Sequence, residues 1–177
     1  MKSLYKIWEM DCFLLDADNF QYVRSNVELE FIRITKENYK LVENLKCDSK
    51  IESKQLKNAN VGFFALYNKK VIGYGWYKDK NSKFHDTFYK MNKADNVCYL
   101  CRFFVSEDMR GKNIYPAMIS NLIEYHKKEN TDAKYYISAY SDNIASIKGL
   151  SKVGFKLVSK YKFVRLMKLT VNKIKLV

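Results

Sequence analysis

Apolar residues in this chain fall into short runs of two kinds, and the spacing inside each run predicts the elements. VGFFALYNKKVIGYGWYK is rich in β-branched and aromatic residues and turns at Asn68-Lys69-Lys70, the pattern of a β-hairpin. Gly73 and Gly75 in its second arm predict a bulge or a close neighbour. NVCYLCRFFV, mostly apolar and aromatic and of strand length, predicts a long central strand. Ile114, Met118, Leu122 and Tyr125 recur at helical spacing instead, in a stripe ending near Lys127 and Lys128. KYYISAY predicts the next strand. Asn143 then opens a helix whose inner side carries Ile147, Leu150 and Val153, and Gly154 stops it. In FKLVSKYKFVRLMKLTV the pattern alternates, with Phe155, Leu157, Tyr161, Phe163, Met167 and Leu169 on one side. Lys156, Lys160, Lys162 and Lys168 occupy the other, which predicts a half-buried antiparallel hairpin with a solvated lysine face.

The remaining stretches are less periodic. Residues 1–27 read as an irregular, hairpin-like extension packed on a single domain of residues 28–177. LEFIRI is strand-like, and Thr35 can cap a helix running through Leu45. Lys78 to Asp95 is polar and aromatic without a period, and reads as a loop or lid. The predicted order, β-α, β-β-β, α, β, α, β-β, is an α+β fold with a mixed sheet.

At 177 residues the chain is large enough to bury a real core, and a hydrophobic content of 47% excludes a disordered tail protein. No apolar run approaches the ~20 residues of a membrane span, so no membrane insertion is expected. The opening MKSLYKIWEMDCFLLDAD mixes charges into its apolar stretch and has no small-residue cleavage site, so the expected location is the cytoplasm. The net charge of +13 suits an anionic partner, yet lysine greatly outnumbers arginine. With no zinc finger, RGG tract or basic helix, specific nucleic-acid binding is not expected. Cys12, Cys47, Cys98 and Cys101 read as buried free thiols. The pair Cys98-x-x-Cys101 sits in a strand, where residues three apart face opposite ways, and no second pair completes a metal set.

One junction changes character abruptly. The central strand ends at Val105, acidic Glu107 and Asp108 follow, and Arg110-Gly111-Lys112-Asn113 precedes the long helix. A helix N-terminus concentrates unpaired N–H groups and partial positive charge, and a glycine lets backbone approach an oxyanion closely. Asn113 can cap that helix, and Pro116, the only proline, falls in the first turn, where its missing N–H costs nothing. The stretch reads as a diphosphate cradle with Arg110 and Lys112 as mobile charge.

The strand, V-x-x-x-x-R-G-x-x-I and helix resemble the acyl-CoA loop of GNAT-type N-acetyltransferases, whose pattern is [Q/R]-x-x-G-x-[G/A]. Arg110, Gly111, Lys112, Asn113, Ile114 and Tyr115 occupy its positions, with Asn113 and Tyr115 replacing the two small residues. Tyr115 is expected to narrow the groove. The variant R-G-K-x-I-Y-P resembles a branch associated with polysaccharide and amino-sugar gene products. Asn143, Ser146, Gly154 and Phe155 match a second family motif, N-x-x-[A/S] followed by G-F. The resemblance implies a mostly antiparallel central sheet flanked by helices, and acetyl transfer from acetyl-CoA to the primary amine of a small molecule, with a peptide or protein amine acceptor, or CoA binding without turnover, as the alternatives. It implies no metal and leaves a homodimer open. Backbone groups of Phe103, Phe104 and Val105 would pair with pantetheine, residues 110–115 would take the pyrophosphate, and Asn143 would touch the pantetheine arm. Ser146 reads equally as a CoA contact or a helix-packing residue. Where many relatives carry an acidic Tyr this chain has Leu150, and where many carry a Glu it has Tyr99. Candidate proton-transfer groups are therefore Tyr99, Tyr140 and His85. Tyr99 reads more readily as a packed strand aromatic and His85 as a solvated loop residue.

Overall fold

The hairpin predicted at residues 61–78 forms, joined by Asn68 and Lys69, both left-handed at φ 49° and 61°. The computed structural model describes residues 5–82, 96–166 and 169–175. The strands are β1 (Tyr5–Asp16), β2 (Glu30–Arg33), β3 (Val61–Tyr67), β4 (Lys70–Lys78), β5 (Val97–Val105), β6 (Lys134–Tyr140), β7 (Lys156–Leu166) and β8 (Leu169–Lys175). The helices are α1 (Ser49–Lys57), α2 (Ile114–Lys127) and α3 (Ile144–Val153). All strands join one sheet in the order β2-β3-β4-β5-β6-β1-β7-β8, antiparallel throughout except between β5 and β6.

Side-chain alternation sends two cores to opposite faces of this sheet. On one face α2 and α3 bury Ile119, Leu122, Ile123, Leu150 and Val153 against Phe13, Leu15, Leu100, Tyr135 and Ile137. On the other, residues 39–56 cover Phe64, Tyr74 and Trp76. Gly62 is where the indole of Trp76 fits, since a Cβ there would lie 2.5 Å from the ring. Gly154 takes φ 103° and caps α3, as its position predicts.

Several expectations are corrected. Residues 5–16 are not an irregular hairpin but a continuous strand inserted between β6 and β7. Lys6, Glu9 and Asp11 obscure the alternation, and the strand is stabilised by pairing on both sides rather than by its own pattern. The helix expected from Thr35 to Leu45 is a 3₁₀ segment over Tyr39–Leu45, and α1, unforeseen, follows it. The register of β1 on β7 shifts between Cys12 and Phe13, and beside that bulge Leu157 is exposed rather than buried. Met167, Lys168 and the segment carrying His85 lie outside the described residues.

Candidate active site

Strands β5 and β6 pair only at Val97–Lys134, Cys98–Tyr135 and Tyr99–Tyr136. Beyond Tyr99 they part, β5 staying with β4 and β6 with β1. The gap is a cavity of about 760 Å³ lined by the far halves of both strands, the loop after β5 and the first turns of α3.

The cavity's β5 wall is bent by a bulge. Trp76 pairs with Cys101 and Tyr74 with Phe104, so Arg102 and Phe103 together face Gly75. Arg102 takes φ 55°, and a Cβ on Gly75 would lie 2.4 Å from the Phe103 ring. Phe103 meets Tyr115 edge to face, with ring centroids 5.3 Å apart.

The loop after β5 combines two left-handed residues, Gly111 at φ 82° and Asn113 at φ 55°. Ala117 is the first residue of α2 to bond back, to Asn113 O at 3.1 Å. The N–H groups of Ile114 and Tyr115 therefore have no acceptor inside the helix, and Pro116 has no N–H to satisfy. Gly111, Asn113, Ile114, Tyr115 and Arg110 all line the cavity, beside Phe103, Phe104 and Val105. Contrary to the expectation from its position, Asn113 does not cap α2 with its side chain. Its Oδ1 accepts from Lys152 Nζ at 2.6 Å, and its Nδ2 donates to Asn26 Oδ1 at 3.0 Å. Lys112 is absent from the cavity wall: its Nζ donates to Asp108 O at 3.4 Å, and its carbonyl accepts from Asn26 N. Lys148 and Lys152 of α3 line the cavity instead, which no pattern in the chain signals.

The bulky Tyr115 is folded against α3, where Gly149 makes room for it. Its hydroxyl accepts from Ser146 Oγ at 3.0 Å, and burial pushes its phenol up to about 12. Ser146 thus serves helix packing while also lining the cavity. Asn143 caps α3, its Oδ1 accepting from Ser146 N at 3.1 Å, and faces the cavity too. Tyr140 stands at the cavity wall with 52% of its surface exposed. Tyr99 is not part of that wall; it stacks on Tyr136 at 5.4 Å, and burial pushes its phenol up to about 12. Leu150 is wholly buried in the core. Glu52, which sequence reasoning passed over, is fully buried in α1 and accepts from Arg102 Nη2 at 3.0 Å. Among the described residues no group of His, Cys, Asp or Glu is placed to hold a metal ion, and no helix is long and apolar enough to cross a membrane.

The model of the acetyltransferase (GNAT) family matches residues 28–155, well over half of the chain. The chain is a member of the GNAT family. This GNAT chain adopts the family's mixed α+β fold, and β1, β7 and β8 lie outside the matched range. Among curated proteins none matches it. Among solved structures, a GNAT-family acetyltransferase from Colwellia psychrerythraea is similar at 12% identity and a TM-score of 0.62, over 91% of this chain and 56% of that one. A glucosamine N-acetyltransferase region in a fungal multi-domain GH3 β-N-acetylglucosaminidase is similar at 13% identity and a TM-score of 0.65, over 89% of this chain and 21% of that one. AAC(6')-Iy, in complex with the bisubstrate analogue CoA-S-monomethyl-acetylneamine, is similar at 14% identity and a TM-score of 0.57, over 73% of this chain and 91% of that one. The first two similarities span 56% and 21% of those proteins' lengths, and all three are likenesses of fold.

Proposed function

We propose that this GNAT protein moves the acetyl group of acetyl-CoA directly onto the primary amine of a small molecule, an amino sugar or nucleotide-linked amino sugar. The observation that carries the reading is the parting of β5 from β6 beyond Tyr99 and Tyr136. It leaves the β6-facing backbone edge of Phe103 to Val105 beside a cavity that ends at residues 110–115. An extended amide-bearing chain such as pantetheine suits that edge, and a diphosphate suits the amides of Gly111 to Tyr115. Arg110, Lys148 and Lys152 supply charge around it.

In the reaction the amine nitrogen attacks the thioester carbonyl carbon. A C–N bond forms, the C–S bond breaks, and the thiolate leaves with its electron pair while the ammonium proton is lost. A thiol pKa near ~8.5 makes the thiolate a tolerable leaving group without full protonation. Tyr140, the exposed phenol of the two on the cavity wall, can return a proton to it. Tyr99, pushed up to about 12 and stacked on Tyr136, is poorly matched to base chemistry at neutral pH. The amino-sugar assignment is supported by the R-G-K-x-I-Y-P loop and by the fold shared with the fungal glucosamine N-acetyltransferase region. The test is calorimetric titration with acetyl-CoA, followed by mass-detected acetylation of amino sugars, amino acids and peptide amines. Failure to bind acetyl-CoA would overturn the reading, and binding with no transfer to any amine would reduce it to a CoA-binding protein.

A further inference from the structure

Arg102 combines features that the acetyl-transfer chemistry leaves unused. A left-handed backbone at φ 55° is unfavourable for a residue with a long side chain, and here it is held by the bulge opposite Gly75. Its side chain is one-third exposed, the residue lines the cavity, and the guanidinium donates through Nη2 to Glu52. Glu52 is 0% exposed, and its Oε2 has no hydrogen-bond partner among the described residues. An apolar side chain would sit more cheaply in this fully buried position than a carboxylate does. What the carboxylate achieves is to hold the guanidinium in one orientation. Arginine has N–H donors in a planar fork, and among the described residues Glu52 is the one acceptor that its side chain meets.

Position decides what the remaining donors meet. Along β5, Arg102 lies on the far side of Phe103 to Val105 from the loop at 110–115. If the diphosphate occupies that loop, Arg102 stands beside the uncharged thioester end, where the amine must arrive. We propose that Arg102 recognises the acceptor by holding an oxyanion, carboxylate or phosphate, carried on the amine substrate, with Glu52 as its positioning residue. This rests on the acetyl-transfer reading and narrows its substrate class to anionic amines.

The test is calorimetric titration of the intact protein, saturated with CoA, with glucosamine, glucosamine 6-phosphate and 2-amino-2-deoxygluconate. Phosphate or carboxylate should bind about tenfold more tightly than the neutral sugar, the better of the two arms naming the oxyanion. In the paired variant Glu52→Gln with Arg102→Gln, which leaves no unpaired buried charge, that preference should fall to within about twofold while acetyl-CoA affinity persists. Arg102→Lys, which keeps the charge but not the fork, should lose most of the preference. Equal affinity for neutral and anionic amines in the native chain would overturn the proposal. So would a preference that survives the paired variant, since it would then come from the general positive surface. Failure of the native chain to bind acetyl-CoA would instead remove the acetyl-transfer reading itself.

Discussion

Gly149 lacks a side chain where Tyr115 needs the room: a Cβ there would lie 2.8 Å from Tyr115 Cδ1. Gly149→Leu should cost about 1–3 kcal/mol in urea unfolding and, by displacing Tyr115, weaken acetyl-CoA binding about tenfold or more. Gly111 is a different case. A Cβ there meets nothing within 4 Å, so the penalty at φ 82° is purely one of backbone. Gly111→Val should lose about 1–3 kcal/mol and most CoA affinity, while Gly111→Asn, which tolerates the left-handed region, should retain more of both. Arg110 and Gly111 were legible because their chemistry is local. The folding of Tyr115 onto α3 was not, because it depends on Ser146 and Gly149, which spacing alone does not bring near it. His126 is a further residue-scale case, buried with Nδ1 3.1 Å from the Tyr135 hydroxyl and Nε2 3.8 Å from Asp79. Burial lowers its pKa, although Asp79 opposes the shift. The unfolded chain then binds the proton more readily, so this contribution to stability is complete above about pH 6.5 and is lost as pH falls toward the depressed folded value. His126→Gln should flatten the melting temperature's dependence on pH between 5 and 7.

At the scale of elements, α1 shows why a helix can escape notice. In SKIESKQLK the buried positions include Glu52 and Gln55, so apolar periodicity is nearly silent. Its start is nonetheless well built, since Asp48 accepts from Lys50 N at 2.9 Å. Asp48→Ala should cost about 1 kcal/mol, read as a lower melting temperature. The hairpin β3–β4, by contrast, announced itself through β-rich runs and its glycines, and Gly75 marks the bulge that turns Arg102. The parting of β5 and β6 carries no periodic signal, because strand-forming residues continue on both sides of Tyr99, with Arg102 the one charged residue of β5.

At the scale of the molecule, the sheet depends on a strand that lies outside the family match. With β1 paired to β6 and β7 at once, removing residues 5–16 would expose two strand edges in the middle of the sheet. The truncated chain should aggregate or fail to melt cooperatively, as gel filtration and circular dichroism would show. The surplus of +13 acts over a longer range than any single contact. Association with acetyl-CoA should therefore slow as salt rises, measurable by stopped flow between low and physiological ionic strength.

The place of β1 also governs how the polypeptide reaches its native state. Trp8 aligns with Phe163 and Cys12 with Ser138, so the middle of the sheet closes only after most of the intervening chain has been synthesised. Such remote partnerships slow refolding, and the nascent chain must wait on the ribosome with apolar segments uncovered, a clientele suited to chaperones.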